Sequence, residues 1–233
     1  MVQIDNIELA KSYGQFLAAL GGVSITVLTL ALTLRKEIAD QRLFEFLNAA
    51  LIVATIVCFI GAHGMSEVSA IPTTEMAGAR RLYMIASINV VMAAALFLFA
   101  LMLLPRVYDD DMPDELKAIA FWSFAAVVIG AQAWMVSFIE HLEHPSASGA
   151  LLAAAVAALA VWLYRPRMDA VTGFVAFPFW LCVGFSGSSL VLFAATFQLL
   201  TGPQWFDVTF YCVGMATPAM ALLRLGWREY RKA

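Results

Sequence analysis

Charge is the scarcest property of this sequence. Of its 233 residues, 13% are Asp, Glu, Lys or Arg and 62% are hydrophobic, whereas a soluble globular domain carries about 25% charged residues. So few charges cannot cover a water-facing surface, which excludes an ordinary soluble domain. An excess of positive charge is also missing. The formal net charge is −3, and nucleic acid is not an expected partner. Cysteine occurs three times, as Cys58, Cys182 and Cys212, each inside an apolar run. An odd number in that setting excludes a disulfide framework and reads as small packing residues. The stretch before the first apolar block holds Asp5, Glu8 and Lys11 and has no basic leader region, so no removable signal peptide is expected.

What is abundant is long apolar sequence, with a mean hydropathy of +0.83. In lipid every backbone polar group must be satisfied internally, so only helices or closed barrels can span. Barrel strands would show segments of about 10 residues with alternating polarity; the runs here are longer and apolar on all sides, which selects helices. A span needs about 20 apolar residues. Seven candidates follow, at residues 16–34, 46–62, 82–104, 118–139, 149–164, within 171–200, and at 208–223. The expected fold is all-α, a single transmembrane helical-bundle domain over residues 1–233. Its loops are too short for a soluble domain, and no internal repeat or low-complexity tract stands out.

The basic residues orient this bundle. With the N-terminus outside and seven crossings, the inner segments hold Arg35, Lys36, Arg42, Arg106, Lys117, Arg165, Arg167, Arg224, Arg228, Arg231 and Lys232. The outer segments hold only Lys11, Arg80 and Arg81. That asymmetry is the positive-inside bias, and it puts the C-terminus in the cytoplasm. Trp162, Tyr164, Trp205, Trp227 and Tyr230 fall near span ends, as an interfacial aromatic belt requires. A prokaryotic plasma membrane is the expected host.

This topology gathers His63, His141 and His144, together with Glu67, Glu140 and Glu143, at the outer ends of the second and fourth spans. His63 and Glu67 are i and i+4, and Glu140, His141 and His144 share a helical face, one turn after Ser137. Imidazole and carboxylate suit a divalent metal such as zinc. If the two helices are neighbours, His63, Glu67, Glu140, His141 and His144 form a candidate metal site. The plainer reading is a polar membrane rim, and a third is a sensor of protons or metal.

In the sixth span, Gly184-Phe185-Ser186-Gly187 matches the nucleophile pattern of rhomboid intramembrane proteases. Their general-base histidine lies on a later span, however, and no histidine follows His144. A retinal Schiff base is excluded as well, because Lys11, Lys36, Lys117 and Lys232 all lie outside the spans. The three-histidine membrane hydrolases need a histidine pair near the final helix, which is absent. Small residues and hydroxyls in the sixth span are first a packing device. The sharper alternative is a polar path lined by Ser186, Ser188, Ser189 and Gln198, with Thr196.

No Asp, Glu, Lys or Arg falls in the middle of any span; polar residues there are few, among them Asn48, Asn89 and Gln132. This argues against a proton-coupled carrier, which keeps an ionisable group at membrane depth. Pro178 and Pro218 should bend their helices. The acidic cluster of Asp109, Asp110, Asp111, Asp114 and Glu115 reads as a solvated turn and the start of the fourth helix. The leading functional expectation is a channel or transport-type protein, or the membrane subunit of a larger complex. The rivals are a metal-binding protein or metal-dependent enzyme at the outer His/Glu cluster, and a pH or metal sensor. Expected partners are the lipid bilayer and either further copies of the chain or a larger membrane complex.

Overall fold

The computed structural model describes residues 6–70, 76–108, 113–141, 177–194 and 211–231. Among these there is no strand. The helices are α1 (Asn6–Thr33), α2 (Gln41–Ala70), α3 (Met76–Tyr108), α4 (Asp114–His141), α5 (Phe177–Ala194) and α6 (Thr217–Arg231). A 3-10 turn at Arg35–Glu37 follows α1, and a π-helical turn at Cys212–Ala216 leads into α6. The first four helices are long and apolar enough to cross a membrane, as those of an integral membrane protein are. α5 falls on the predicted sixth span, and the π turn with α6 on the seventh. The predicted fifth span, residues 149–164, lies outside the described residues.

α3 is the central helix. Of its most apolar stretch 67% is buried, against 22% for α1 and for α4. α2 packs along α3 and carries α1 and α5, each of which also touches α3; α4 lies against α3, and α6 packs on α4 and α5. The interior is built from Leu17, Leu43, Leu47, Leu51, Met65, Met84, Phe99 and Phe124. Phe99 holds three helices together, with its ring centroid 5.7 Å from Phe124 of α4 and 6.2 Å from Phe179 of α5. The outward faces of α1 and α4 remain apolar, with Leu30 54%, Ile119 62% and Trp122 58% exposed. Such faces are stable against lipid, not water.

Small residues set the closest approach. Gly21 of α1 faces Cys58, and Gly61 of α2 faces both Leu17 and Asn89; a Cβ on Gly61 would lie 2.8 Å from the Leu17 side chain and 3.0 Å from the Asn89 Cβ. Without side chains the backbones come near enough for extensive van der Waals contact, the main source of helix association where lipid is as apolar as leucine. Hydroxyls in α1 and α2 are satisfied locally. Ser24, Thr26, Thr29, Thr33 and Thr55 each donate to the carbonyl one turn earlier, at 2.8–3.0 Å. This is how polar side chains are carried on apolar helices without orphaned donors.

Several helices run beyond their predicted limits, for amphipathic reasons. α2 continues from Ala62 to Ala70, through the stretch read as a polar connection. Gly64, Met65 and Val68 keep its inner face buried, while His63 and Ser66 point outward. α6 continues past Leu223 to Arg231, with Leu222, Leu225, Gly226 and Glu229 buried at helical spacing. The α1–α2 turn is anchored at both ends. Asp40 caps α2, its Oδ1 accepting from the backbone N–H of Arg42 and Leu43 at 2.8 and 3.0 Å. The N–H groups of Ala39 and Asp40 reach the Val107 carbonyl near the end of α3 at 2.8 and 3.4 Å. These bonds satisfy a carbonyl that the end of a helix leaves open.

The sequence predicts a bend at Pro218; what the structure shows there is a π turn just before it. Proline has no N–H to give to the carbonyl one turn before it. The backbone rewinds instead into the π turn, in which the Thr217 N–H bonds to the Cys212 carbonyl five residues back.

Candidate functional site

Three of the polar groups buried inside the bundle meet between α3 and α5. Asn89 is 0% exposed, Ser186 1% and Ser189 0%. The Ser186 hydroxyl donates to the Asn89 amide oxygen at 2.8 Å. The Asn89 amide nitrogen donates to the Ile85 carbonyl at 3.2 Å and to the Ser189 oxygen at 3.4 Å. Ser189 in turn donates to the Phe185 carbonyl at 2.9 Å. Every donor of these three side chains therefore has an acceptor, and the node carries no charge. At 1.5 Å of rise per residue, Asn89 lies roughly 10 Å along α3 from Leu82, the start of its spanning stretch.

The local sequence explains the arrangement. Ser186 and Ser189 are i and i+3 and so share one face of α5, which α5 turns toward α2 and α3. Ser188 falls on the other side; it is exposed, and its hydroxyl bonds back to the Gly184 carbonyl at 2.8 Å. Gln198 and Thr196 lie outside the described residues. Asn89 meets the small Gly61 across the α2 interface, so the bulk of the amide is accommodated by the missing side chain opposite. A second polar contact joins α4 to the π turn, where the Tyr211 hydroxyl donates to the Gln132 amide oxygen.

The predicted metal cluster is described only in part. His63 and Glu67 of α2 are 3.8 Å apart, with side chains 50% and 46% exposed. Glu140 and His141 close α4, but their side chains are outside the described set, and so is the whole of His144. α3 packs against both α2 and α4. No group of three or more His, Cys, Asp or Glu among the described residues is placed to hold a metal ion.

At the other end of the bundle a charged network escaped the reading of the sequence. Glu229 of α6 is 3% exposed. Its Oε1 accepts from Arg42 Nη2 of α2 at 3.2 Å and from Arg228 Nε at 3.0 Å. Arg106 of α3 donates to the Glu229 backbone carbonyl at 2.7 Å. The signal was the heptad-like burial of Leu222, Leu225 and Glu229 past the apolar run, which places one carboxylate on the inner face among arginines. Beside it Phe121, Trp122, Trp227 and Tyr230 form an aromatic cluster, with Phe121 and Tyr230 stacked at 5.2 Å. The Arg231 guanidinium sits 4.6 Å over the Trp227 ring.

Chemically, the inner node can hold helices together and present neutral polar surface. It contains no nucleophile–base pair, because Ser186 has an amide oxygen and not an imidazole as its partner. No family model, curated protein or solved structure matches the chain.

Proposed function

We propose that this chain is a seven-crossing membrane protein, N-terminus outside and C-terminus cytoplasmic, that acts as the membrane subunit of a larger channel or transport assembly. The observation that carries the reading is the Asn89–Ser186–Ser189 node. Its three side chains lie deep in the bundle, carry no charge and are bonded to one another. A self-contained proton-coupled carrier needs an ionisable group at that depth. The exposed apolar faces of α1 and α4 offer surface for lipid and for neighbouring helices alike.

The odd number of crossings has support in the helix ends. Tyr108, at the end of α3, donates to the Ala31 carbonyl near the end of α1 at 2.9 Å. Arg42, at the start of α2, and Arg106 both bond to Glu229 near the end of α6. The last helix thus finishes beside the α1–α2 turn, at the far end of α1 from Asn6. Such a placement supports an odd count of crossings.

Purification in a gentle detergent tests the proposal. A subunit should bring down a partner in fixed stoichiometry, and the isolated chain in liposomes should carry no ion flux. Ion flux through the chain alone, with no partner retained, would overturn it.

A further inference from the structure

One face of α1 stays exposed along its whole length, and its residues fall in a regular order. From Gln15, alternating steps of four and three pass through Ala19, Gly22, Thr26, Thr29 and Thr33, all of them exposed. No large apolar side chain stands in this row. Exposed ridges flank it instead, with Phe16, Val23 and Leu30 on one side and Ile25 and Leu32 on the other. The threonine hydroxyls bond back to their own helix, and a methyl group on Gly22 would meet nothing within 4 Å. The opposite face of α1, with Leu17, Ser24 and Ala31, is already buried. A four-three repeat is the seam of a left-handed helix pair, and small residues on it let two backbones approach closely in lipid. We propose that this face joins two copies of the chain, α1 against α1, in a parallel twofold dimer.

The polar groups of the row single out a second copy as the occupant. About 20 residues cross the hydrocarbon core; counted back from Thr33, the end of the α1 span, they take in Gln15. Among the described residues no hydrogen bond reaches the Gln15 side chain. A primary amide carries both donor and acceptor, so two such groups related by a twofold axis satisfy each other. Toward the N-terminus the same steps reach Ser12 and Glu8, and Lys11 lies one turn from Glu8 on this face. Both charges are exposed, and neither has an ion-pair partner among the described residues. A twofold axis along the helices brings the carboxylate of each copy to the ammonium of the other, a complementarity that fixes register. Copies of one chain take one orientation in the membrane, which makes the pairing parallel. The inference needs α1 to cross a bilayer but not the channel or transport reading, so either can fail alone.

Full-length chains carrying donor or acceptor dyes at the C-terminus test this in liposomes, where energy transfer between them reports only self-association. Wild type should form dimers at low protein density, a signal that needs no variant. Gln15→Leu removes two reciprocal bonds and should weaken the dimer about eightfold. Gly22→Leu should abolish it, and the open space at that position lets the single chain fold. Glu8→Lys should weaken association, and adding Lys11→Glu should restore it. Absence of energy transfer in wild type, or a dimer untouched by Gly22→Leu, would overturn the proposal. Failure of the charge exchange to restore the dimer would overturn its parallel twofold form.

Discussion

Ser186 and Asn89 lie 97 positions apart in sequence and are joined by a 2.8 Å hydrogen bond, with neither residue more than 1% exposed. The bond ties α5 to the central helix in surroundings that offer no competing water. Its removal should be measurable. Ser186→Ala is expected to lower stability by about 1 kcal/mol, because the Asn89 oxygen loses its donor. A double-mutant cycle with Asn89→Ala should give a coupling of about 0.6 kcal/mol, with roughly 1.7 as its ceiling. Ser188→Ala, on the exposed side of the same helix, should stay within about 0.5 kcal/mol of wild type. Reversible unfolding in bicelles reads the four variants against wild type, and zero coupling would show that the amide and hydroxyl do not act as a pair.

Glycines at the interfaces should differ sharply from glycines elsewhere. A methyl group on Gly214 would overlap the ring of Phe185, and one on Gly61 would press on Leu17 and Asn89. Overpacking of this kind costs about 1–3 kcal/mol, with Gly214→Ala expected to be the worse because a ring cannot fold away. Gly22 and Gly130 have nothing within 4 Å of such a methyl. There the substitution should be neutral or stabilising by up to about 1 kcal/mol through helix propensity. Phe185→Leu should recover part of the Gly214→Ala loss. Thermal melting of the purified variants ranks them.

The Glu229 network should be a structural tie with a moderate contribution. Glu229→Gln keeps the shape but removes the charge that Arg42 and Arg228 share. Breaking a fully buried pair costs about 3–5 kcal/mol. The Arg42 side chain is 47% exposed and can regain water, which discounts the figure to roughly 1–2 kcal/mol. Arg42→Gln should cost less than Glu229→Gln, since the carboxylate keeps its second arginine. An equal loss from both variants would mean that the Arg42 bond carries the whole effect.

Single cysteines introduced at Lys11 and at Lys36, in a background with Cys58, Cys182 and Cys212 replaced by alanine or serine, should label from opposite sides of sealed vesicles. A cysteine at Arg231 should label with Lys36. If position 231 labels with Lys11, the chain makes an even number of crossings, and the assignment of its basic residues to one side fails.

Much of the architecture could be read without coordinates. Residues 16–34, 46–62, 82–104 and 118–139 announced helices through long apolar runs; the last three lie within α2 to α4, and the first overruns the end of α1 by one residue, Leu34. Their ends were harder. Apolar content falls after Ala62 and Leu223, yet both helices continue, because one buried stripe of Met65 and Val68, or of Leu225 and Glu229, suffices to hold a helical turn against its neighbours. Pro218 marked a bend, but its resolution into a π turn depended on which carbonyl the Thr217 N–H could reach.

Composition and run length dictated the solvent, since a chain with 13% charge cannot be stable in water with these runs exposed. Charge asymmetry gave the expected orientation, because lysine and arginine resist transfer across the membrane. Neither reveals which helices touch. That Asn89 would meet Ser186 and Ser189, that Glu229 would lie among Arg42, Arg106 and Arg228, and that α3 would pack against both α2 and α4 came from packing. Pairings between residues a hundred positions apart follow from the shapes of helix faces, such as the gap at Gly61 that admits the amide, and no periodicity along one chain encodes them.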